Sequence, residues 1–427
     1  MADLELNRLS ACAVADGVRN GSFSAEQVVR ACLDRIETRD KQVKAWAYID
    51  PDLALSQARA IDRASDKGPL AGVPIGIKDV IDTCDMPTDM GSPIYRNNRT
   101  FADAPSVALA RRAGAVILGK TVTCEFAGLT PNITRNPHDL DRTPGGSSSG
   151  SAAAVADFMV AAGYGTQTGG SVLRPACFCG VVGYKPSYNL ISRGGMKFAA
   201  ESRDTIGVIV RSIEDADLLS SVLTGRPRMR NRDTAPKISL CRTHLWEHAL
   251  PESQHAVEDA ARRLAGAGAV ITEIGLPQSF SALAEARTVI NPYERARSLA
   301  FEWNTNRAAI SPGLTAQIEQ GLQISHERYI NSLKRIKACR DEIPAMFGDA
   351  DVLLAPSVTG EAPVGLQSTG DTRFQEFWTA LHVPAITLPT HKGPHRLPIG
   401  IQFVGRIYDD ELLLTSARWA WKQLTDR

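Results

Sequence analysis

The pattern of apolar and polar residues changes once in the N-terminal part of the chain. Residues 1–65 are predicted to be helical, because Ser24 and Gln27 match a capping box and an apolar stripe at helical spacing follows them. Beyond this segment the chain continues with short apolar runs bounded by glycine and proline. The first of these, residues 70–77, predicts a buried strand that ends at Lys78.

Helical and strand-like patterns alternate over the rest of the sequence. The predicted helices cover residues 105–113, 253–266, 283–346 and 409–424. The predicted strands cover residues 115–119, 238–241, 269–274, 352–356, 385–389 and 399–405. This alternation is typical of an α/β protein, and no internal repeat or long linker divides the chain. We therefore predict one continuous α/β domain over residues 1–427.

Composition argues against several classes of protein. The net charge of +1 provides no field that would recruit nucleic acid or an anionic membrane. The sequence has no apolar run of about 18 residues or more, so we expect no membrane span. The acidic, polar start of the sequence differs from a secretory or transit signal, and we expect a cytoplasmic protein.

The cysteines and histidines do not form a ligand pattern. The eight cysteines are scattered, and Cys177 and Cys179 have no second pair to complete a zinc site. His244 and His248 are close in sequence, but the H-E-x-x-H motif is absent around them. We expect reduced structural thiols, no metal and no cofactor.

A stretch rich in glycine and serine, residues 143–151, leads directly into an alanine-rich apolar helix. A flexible linker is one interpretation, but linkers do not usually end on a buried helix. The preferred interpretation is a tight loop at a helix N-terminus, where free N–H groups attract negative charge. A nucleotide-binding P-loop is excluded, because the G-x-x-x-x-G-K-[ST] pattern is absent.

A second glycine-rich stretch, residues 163–171, is predicted to be a loop in which two glycines precede Ser171. Such a loop can point several backbone N–H groups in one direction, as an oxyanion hole requires. An ordinary turn is the alternative. Lys78 follows an apolar run, where lost hydration would lower the pKa of its amine and let it accept a proton. The alternative interpretation is that the amine of Lys78 reaches solvent at the end of the strand.

Five segments together resemble the amidase signature family, and the resemblance extends from about residue 5 to residue 425. They are GVPIGIKD at 72–79, TPGGSSSGSAAAVA at 143–156, GTQTGGSVLRPACFCGVVGYKPS at 165–187, DVLLAPS at 351–357 and LPIGIQFVGR at 397–406. Ser147 and Ser171 are 24 residues apart, as the family pattern requires.

The resemblance implies a single amidase domain with a large, mixed, twisted central sheet covered by helices on both faces. Residues 1–65 would form a helical N-terminal segment and residues 70–225 the catalytic core with the signature loops. Residues 283–346 would form a helical substrate side, and residues 350–427 the C-terminal strands and helix.

By resemblance, the reaction is hydrolysis of a C–N bond through an acyl-enzyme. Ser171 would be the nucleophile, Ser147 the bridging residue on an unusual cis peptide bond, and Lys78 the base. The oxyanion donors would be the backbone N–H groups of Thr168, Gly169, Gly170 and Ser171.

Two positions depart from the commonest family pattern. Gln167 stands where many members carry Asp, and Leu173 stands where many carry Arg, with Arg174 next to it. Malonamidase-like members share both features, and there the arginine is thought to hold a substrate carboxylate, which suits its planar fork. Alternatively, Arg174 braces the loop. Thr166 and Gly146 are further candidate substrate contacts.

The substrate class stays open on the sequence. The main expectation is a serine amidohydrolase for a small amide, but the same route serves aryl amides, esters and carbamates (urethanes). A candidate of another class is an amidotransferase A-type subunit that works in a complex. A catalytically silent binding protein is disfavoured, because all three triad positions are intact. The expected partner is a small amide or carbamate rather than nucleic acid or membrane, and a homodimer is left open.

Overall fold

One mixed sheet of eleven strands runs through the molecule. The computed structural model of the chain describes residues 5–232 and 234–425. The strands are β1 (Trp46–Ile49), β2 (Pro74–Lys78), β3 (Val116–Thr121), β4 (Ala162–Gln167), β5 (Val182–Lys185), β6 (Thr205–Val210), β7 (Lys237–Cys241), β8 (Val270–Ile274), β9 (Val352–Pro356), β10 (Ala385–Lys392) and β11 (Pro398–Val404). Their order across the sheet is β1-β3-β2-β4-β6-β5-β10-β11-β9-β7-β8.

Fifteen α-helices surround the sheet in the described part of the chain. They are α1 (Ala11–Asn20), α2 (Ala25–Val43), α3 (Pro51–Arg63), α4 (Pro105–Arg112), α5 (Ser149–Ala156), α6 (Leu173–Phe178), α7 (Ile213–Thr224), α8 (Pro251–Gly266), α9 (Ala282–Ser298), α10 (Ala300–Asn306), α11 (Pro312–Leu322), α12 (His326–Asp341), α13 (Ile343–Phe347), α14 (Arg373–Ala380) and α15 (Asp410–Thr425). The prediction of an α/β fold with a large mixed sheet is confirmed.

Three neighbouring strands in one half of the sheet carry Lys78 and the start of the second glycine-rich loop. β2 pairs in parallel with β3 and β4, and β4 pairs antiparallel with β6. All residues of β2, β3 and β4 are buried, as expected for parallel strands covered on both faces. Because β2 and β4 run in the same direction as neighbours, their last residues, Lys78 and Gln167, lie at the same edge of the sheet.

The prediction that residues 1–65 are entirely helical is wrong for one short segment. Trp46–Ile49 forms the edge strand β1, which pairs antiparallel with β3 so that Trp46 lies opposite Thr121. The segment is only four residues long and lies between two helices. Its extended conformation depends on pairing with a strand that lies far away in sequence, and helical periodicity does not report such pairing. The capping box of Ser24 and Gln27 is confirmed.

The prediction that residues 163–171 form a loop is also wrong for residues 163–167. Residues up to Gln167 belong to the buried strand β4, and the loop begins after it. The glycines of this strand serve close packing rather than a turn. A Cβ atom at Gly163 would lie 3.1 Å from Ser151 Cβ, and one at Gly165 would lie 2.7 Å from Ser148 Oγ. Glycine therefore lets α5 and its preceding loop pack directly on the strand.

No helix in the described ranges is long and apolar enough to cross a membrane.

Candidate active site

Lys78 lies at the end of β2 and is completely buried. Its Nζ is 2.7 Å from Ser147 Oγ and 2.8 Å from Thr166 Oγ1. The neighbouring Asp79 pairs with Lys120, at 3.4 Å, and no carboxylate in the described residues forms an ion pair with Lys78. Burial therefore lowers the pKa of Lys78 from 10.5 to about 7. The amine can be neutral near neutral pH, as a proton acceptor must be.

Ser147 lies in the loop before α5, and the peptide bond that joins it to Gly146 is cis. Its side chain is 1% exposed, so its hydroxyl contacts protein rather than solvent. Two hydrogen bonds hold the backbone carbonyls of Gly146 and Ser147 in place. The N–H of Cys124 donates to the Ser147 carbonyl at 3.2 Å, and Nη2 of Arg174 donates to the Gly146 carbonyl at 2.7 Å.

Ser171 lies between β4 and α6, and it lines a cavity. Its carbonyl accepts the N–H of Ser148 at 3.3 Å, which joins the two signature loops. No hydrogen bond links the hydroxyls of Ser147 and Ser171 in the described part of the chain. The structure thus brings Lys78 and Ser147 into direct contact, and the Ser147–Ser171 contact stays a prediction.

The loop before Ser171 leaves its backbone donors free. Within the described ranges, the N–H groups of residues 168–171 donate to no protein acceptor. The next two N–H groups, of Val172 and Leu173, both donate to Gln167 Oε1, at 2.8 and 3.0 Å. Four unpaired N–H groups beside a serine hydroxyl form the kind of donor set that stabilises an oxyanion.

Gln167 explains one departure from the family pattern. Its Oε1 accepts the first N–H groups of α6, and its Nε2 donates to Thr379 Oγ1 at 3.0 Å. A carboxylate could accept the same two N–H groups, but it could not donate to Thr379 as the amide does. The glutamine therefore holds the loop between β4 and α6 with both ends of its side chain.

Arg174 has contacts that favour bracing of the loop. It is 2% exposed, and its Nη2 donates to Thr369 Oγ1 at 3.0 Å as well as to the Gly146 carbonyl. Its Nε and Nη1 are buried without a hydrogen-bond partner in the described residues. Burial lowers the pKa of Arg174 to about 10, so the guanidinium keeps its charge at neutral pH.

The cavity beside Ser171 has a volume of about 270 Å³. Its charged lining residues are three arginines and one glutamate, which gives it a net charge of +2. They are Arg174, Arg287, Arg295 and Glu376. Of these four residues, only Arg174 is a site candidate from the sequence alone. The others come from α9 and α14, which carry none of the signature motifs.

Thr166 and Gly146, the two other predicted substrate contacts, have protein groups as neighbours and do not line the cavity. Thr166 is 4% exposed, and its hydroxyl contacts Lys78. The Gly146 carbonyl is taken by Arg174. Neither residue is part of the cavity lining, so their role as substrate contacts stays a prediction. Thr168 does line the cavity, and its hydroxyl donates to the buried carboxylate of Asp204.

The cavity lining contains no histidine or cysteine among the described residues. All eight cysteines are free thiols. One cluster elsewhere, formed by Cys84, Asp85 and Asp103, has ligand atoms within 4.8 Å of one another. Arg111 pairs with both of these carboxylates, at 2.6 and 2.9 Å, so their charge is already compensated.

Comparison with known proteins gives a family match over residues 27–414, to the family described as Amidase. The chain belongs to the amidase signature family. It is 32% identical to the A-type subunit of the glutamyl-tRNA(Gln) amidotransferase of Carboxydothermus hydrogenoformans, over 99% of this chain and 98% of that protein. It is therefore related to enzymes that act on C–N bonds.

Solved amidase structures share the fold over nearly the full length. A crystal structure of an amidase has 28% sequence identity and a TM-score of 0.89, over 97% of this chain and 100% of that chain. The peptide amidase from Stenotrophomonas maltophilia has 27% identity and a TM-score of 0.81, over 97% and 96% of the two chains. Amidase signature members thus match both the sequence and the architecture of this chain.

Proposed function

We propose that this amidase signature protein hydrolyses a small amide through an acyl-enzyme on Ser171, with Ser147 as the bridging residue and Lys78 as the base. One observation carries the proposal. Lys78 is completely buried without an ion pair in the described residues, and its Nζ is 2.7 Å from Ser147 Oγ. Burial without a counter-charge costs several kcal/mol unless the group gives up its proton, so this setting favours a neutral amine.

The reaction starts when the neutral amine of Lys78 accepts the proton of Ser147. Ser147 accepts the proton of Ser171, and the Ser171 oxygen attacks the carbonyl carbon of the substrate. The free N–H groups of residues 168–171 stabilise the negative oxygen that forms. The C–N bond then breaks, and the proton returns through Ser147 to the leaving nitrogen. Water attacks the acyl-enzyme by the same relay and regenerates the Ser171 hydroxyl.

The cavity favours a small substrate with an acidic group. Its volume of about 270 Å³ and net charge of +2 suit a short amide that carries a carboxylate. Aryl amides, esters and carbamates remain alternatives that use the same chemistry.

A second candidate function is supported by the relatives that are A-type subunits of glutamyl-tRNA(Gln) amidotransferases. In that case the protein would release ammonia from an amide only as part of a complex. The purified chain decides between the two functions. A hydrolase turns over small amides alone and elutes as a free monomer or homodimer, whereas an obligate member of a complex is inactive until its partners are added.

The proposed mechanism is tested by steady-state hydrolysis with a panel of malonamate, a neutral fatty amide, an anilide and an aryl carbamate. Ser171→Ala should lower turnover by about 10⁴-fold or more, because the covalent route is lost. Ser149→Ala is the matched control, since Ser149 is the first residue of α5, two residues after Ser147, and its hydroxyl donates to the Val122 carbonyl at 3.4 Å. A Ser171→Ala variant with a tenth of wild-type activity would exclude Ser171 as the nucleophile.

A further inference from the structure

Arg295 is a buried cation in the cavity that the proposed mechanism does not use. It lies on α9, is 6% exposed and lines the same cavity as Ser171. Its Nη1 donates to the Phe126 carbonyl at 2.9 Å. No carboxylate among the described residues forms an ion pair with it. Burying a charge without a partner costs free energy, which an anionic group of a bound ligand would offset.

Two donors on one edge of the Arg295 guanidinium have no acceptor among the described residues. Its Nε is buried without a hydrogen-bond partner, and its Nη2 donates to no described residue. Nε and Nη2 lie on the same edge of the guanidinium plane, so they can donate two parallel hydrogen bonds to one carboxylate. The Phe126 carbonyl fixes the opposite side and orients this edge.

The other two arginines of the cavity are less suited to bind a carboxylate. Nη2 of Arg174 donates both to the Gly146 carbonyl and to Thr369, which takes up its hydrogens. Nη1 of Arg287 pairs with Glu376 at 2.8 Å, so the charge of Arg287 is compensated, although its Nε and Nη2 donate to no described residue. Among the described residues, Arg295 is therefore the cavity arginine that combines a free Nε–Nη2 edge with a charge that no ion pair compensates.

The nearest acidic groups do not satisfy Arg295. Asp204 and Glu125 influence its pKa through charge, but their oxygens have other partners. Asp204 accepts hydrogen bonds from Thr168 and from the N–H groups of residues 199 and 200. Glu125 accepts from Ser92 and from the N–H of residue 311.

We infer that Arg295 is the residue that binds the carboxylate of an acidic amide substrate, while Arg174 braces the loop around the Gly146 carbonyl. The inference rests on the proposed function, because it names the substrate class of the same site. It assigns specificity to a helix outside the signature motifs, and it predicts a preference for short ω-amido acids over the corresponding neutral diamides.

The test compares kcat/KM for ω-amido acids of three to five carbons with kcat/KM for their diamides. Arg295→Met should reduce the acid-to-neutral ratio by about ten- to hundred-fold, the usual effect of losing a charge-assisted contact. Arg295→Lys keeps the charge without the fork and should fall between wild type and Arg295→Met. Arg297→Met is the matched control, since Arg297 is exposed on the same helix and should change the ratio by about twofold or less.

A binding measurement separates this inference from the proposed mechanism. In the Ser171→Ala background, calorimetry should give tighter binding for malonate or succinate than for the diamides, and Arg295→Met should remove that difference. If neither the wild type nor any variant turns over an amide but dicarboxylate binding still depends on Arg295, the hydrolytic mechanism fails, while Arg295 remains the carboxylate-binding residue of the cavity. If turnover is normal and the acid preference is absent, or is lost in Arg174→Met but kept in Arg295→Met and Arg295→Lys, the inference is overturned.

Discussion

The burial of Lys78 makes a prediction about stability that does not depend on catalysis. The pKa of Lys78 falls from 10.5 to about 7 in the folded protein, because burial penalises its charged form. Between these two values, the unfolded chain holds a proton on Lys78 that the folded protein does not. Unfolding then takes up a proton, so the folded state gains stability as the pH rises through this window.

Substitution of Lys78 by Met isolates this effect. The variant has no titrating amine at position 78, whereas the wild type should gain about 2 kcal/mol of unfolding free energy relative to the variant between pH 7 and pH 9. The compared quantity is the change in unfolding free energy from pH 7 to pH 9. The loss of the hydrogen bonds to Ser147 and Thr166 lowers the stability of the variant at both pH values, so it cancels from this change. Lys185, whose pKa burial also lowers to about 7, is present in both proteins and cancels as well.

Urea denaturation of both proteins at pH 7, 8 and 9, followed by circular dichroism, measures this difference. The account predicts that the wild-type curve moves to higher urea relative to Lys78→Met at each step. Parallel behaviour of the two proteins over the whole range would refute the reasoning, since it would mean that Lys78 keeps its proton in the folded state. Activity at the same pH values serves as an independent record of the same ionisation.

Three further predictions follow from the site. First, kcat/KM should rise with pH through a single ionisation near 7 and stay high in the mildly alkaline range, because Lys78 must be neutral to accept a proton; activity that falls over this range would contradict it. Second, Gln167→Ala should lower kcat about tenfold by removing the acceptor for two N–H groups of α6, whereas Gln167→Glu should keep most of the rate; equal losses in both variants would show that the acceptor is unimportant. Third, EDTA should leave the rate unchanged, because the described cavity lining lacks a ligand set; loss of activity that zinc restores would disprove this.

The strand that ends at Lys78 could be predicted, because its signal lies in the local sequence. The apolar run before Lys78 indicates a buried strand, which is confirmed; the sequence left open whether the amine is buried or reaches solvent, and the structure buries it. Strand β4 was missed because its glycines usually weaken a strand. In this protein they leave room for Ser148 and Ser151 on the neighbouring helix and loop, a tertiary requirement that composition does not reveal.

The residues that shape the cavity could not be predicted from sequence patterns. Arg287, Arg295 and Arg297 all occur in one charged helical stretch, where spacing gives no reason to separate buried from exposed side chains. The separation depends on the packing of α9 against α11. A Cβ atom at Gly321 would lie 1.9 Å from the Pro292 carbonyl, so the two helices approach closely beside Arg295. Tertiary packing of this kind, which sequence spacing does not report, leaves Arg295 buried and Arg297 exposed.

Direct detection of the acyl-enzyme on Ser171 is the most decisive measurement of the proposed mechanism. The protein is mixed with an activated amide or ester substrate and quenched in acid within milliseconds, and the digested chain is analysed by mass spectrometry. The account predicts an acyl adduct on the peptide that contains Ser171, with no adduct on that peptide in Ser171→Ala. An adduct on another residue would contradict the mechanism. A wild type that turns over an ester with an initial burst but carries no adduct would contradict it as well.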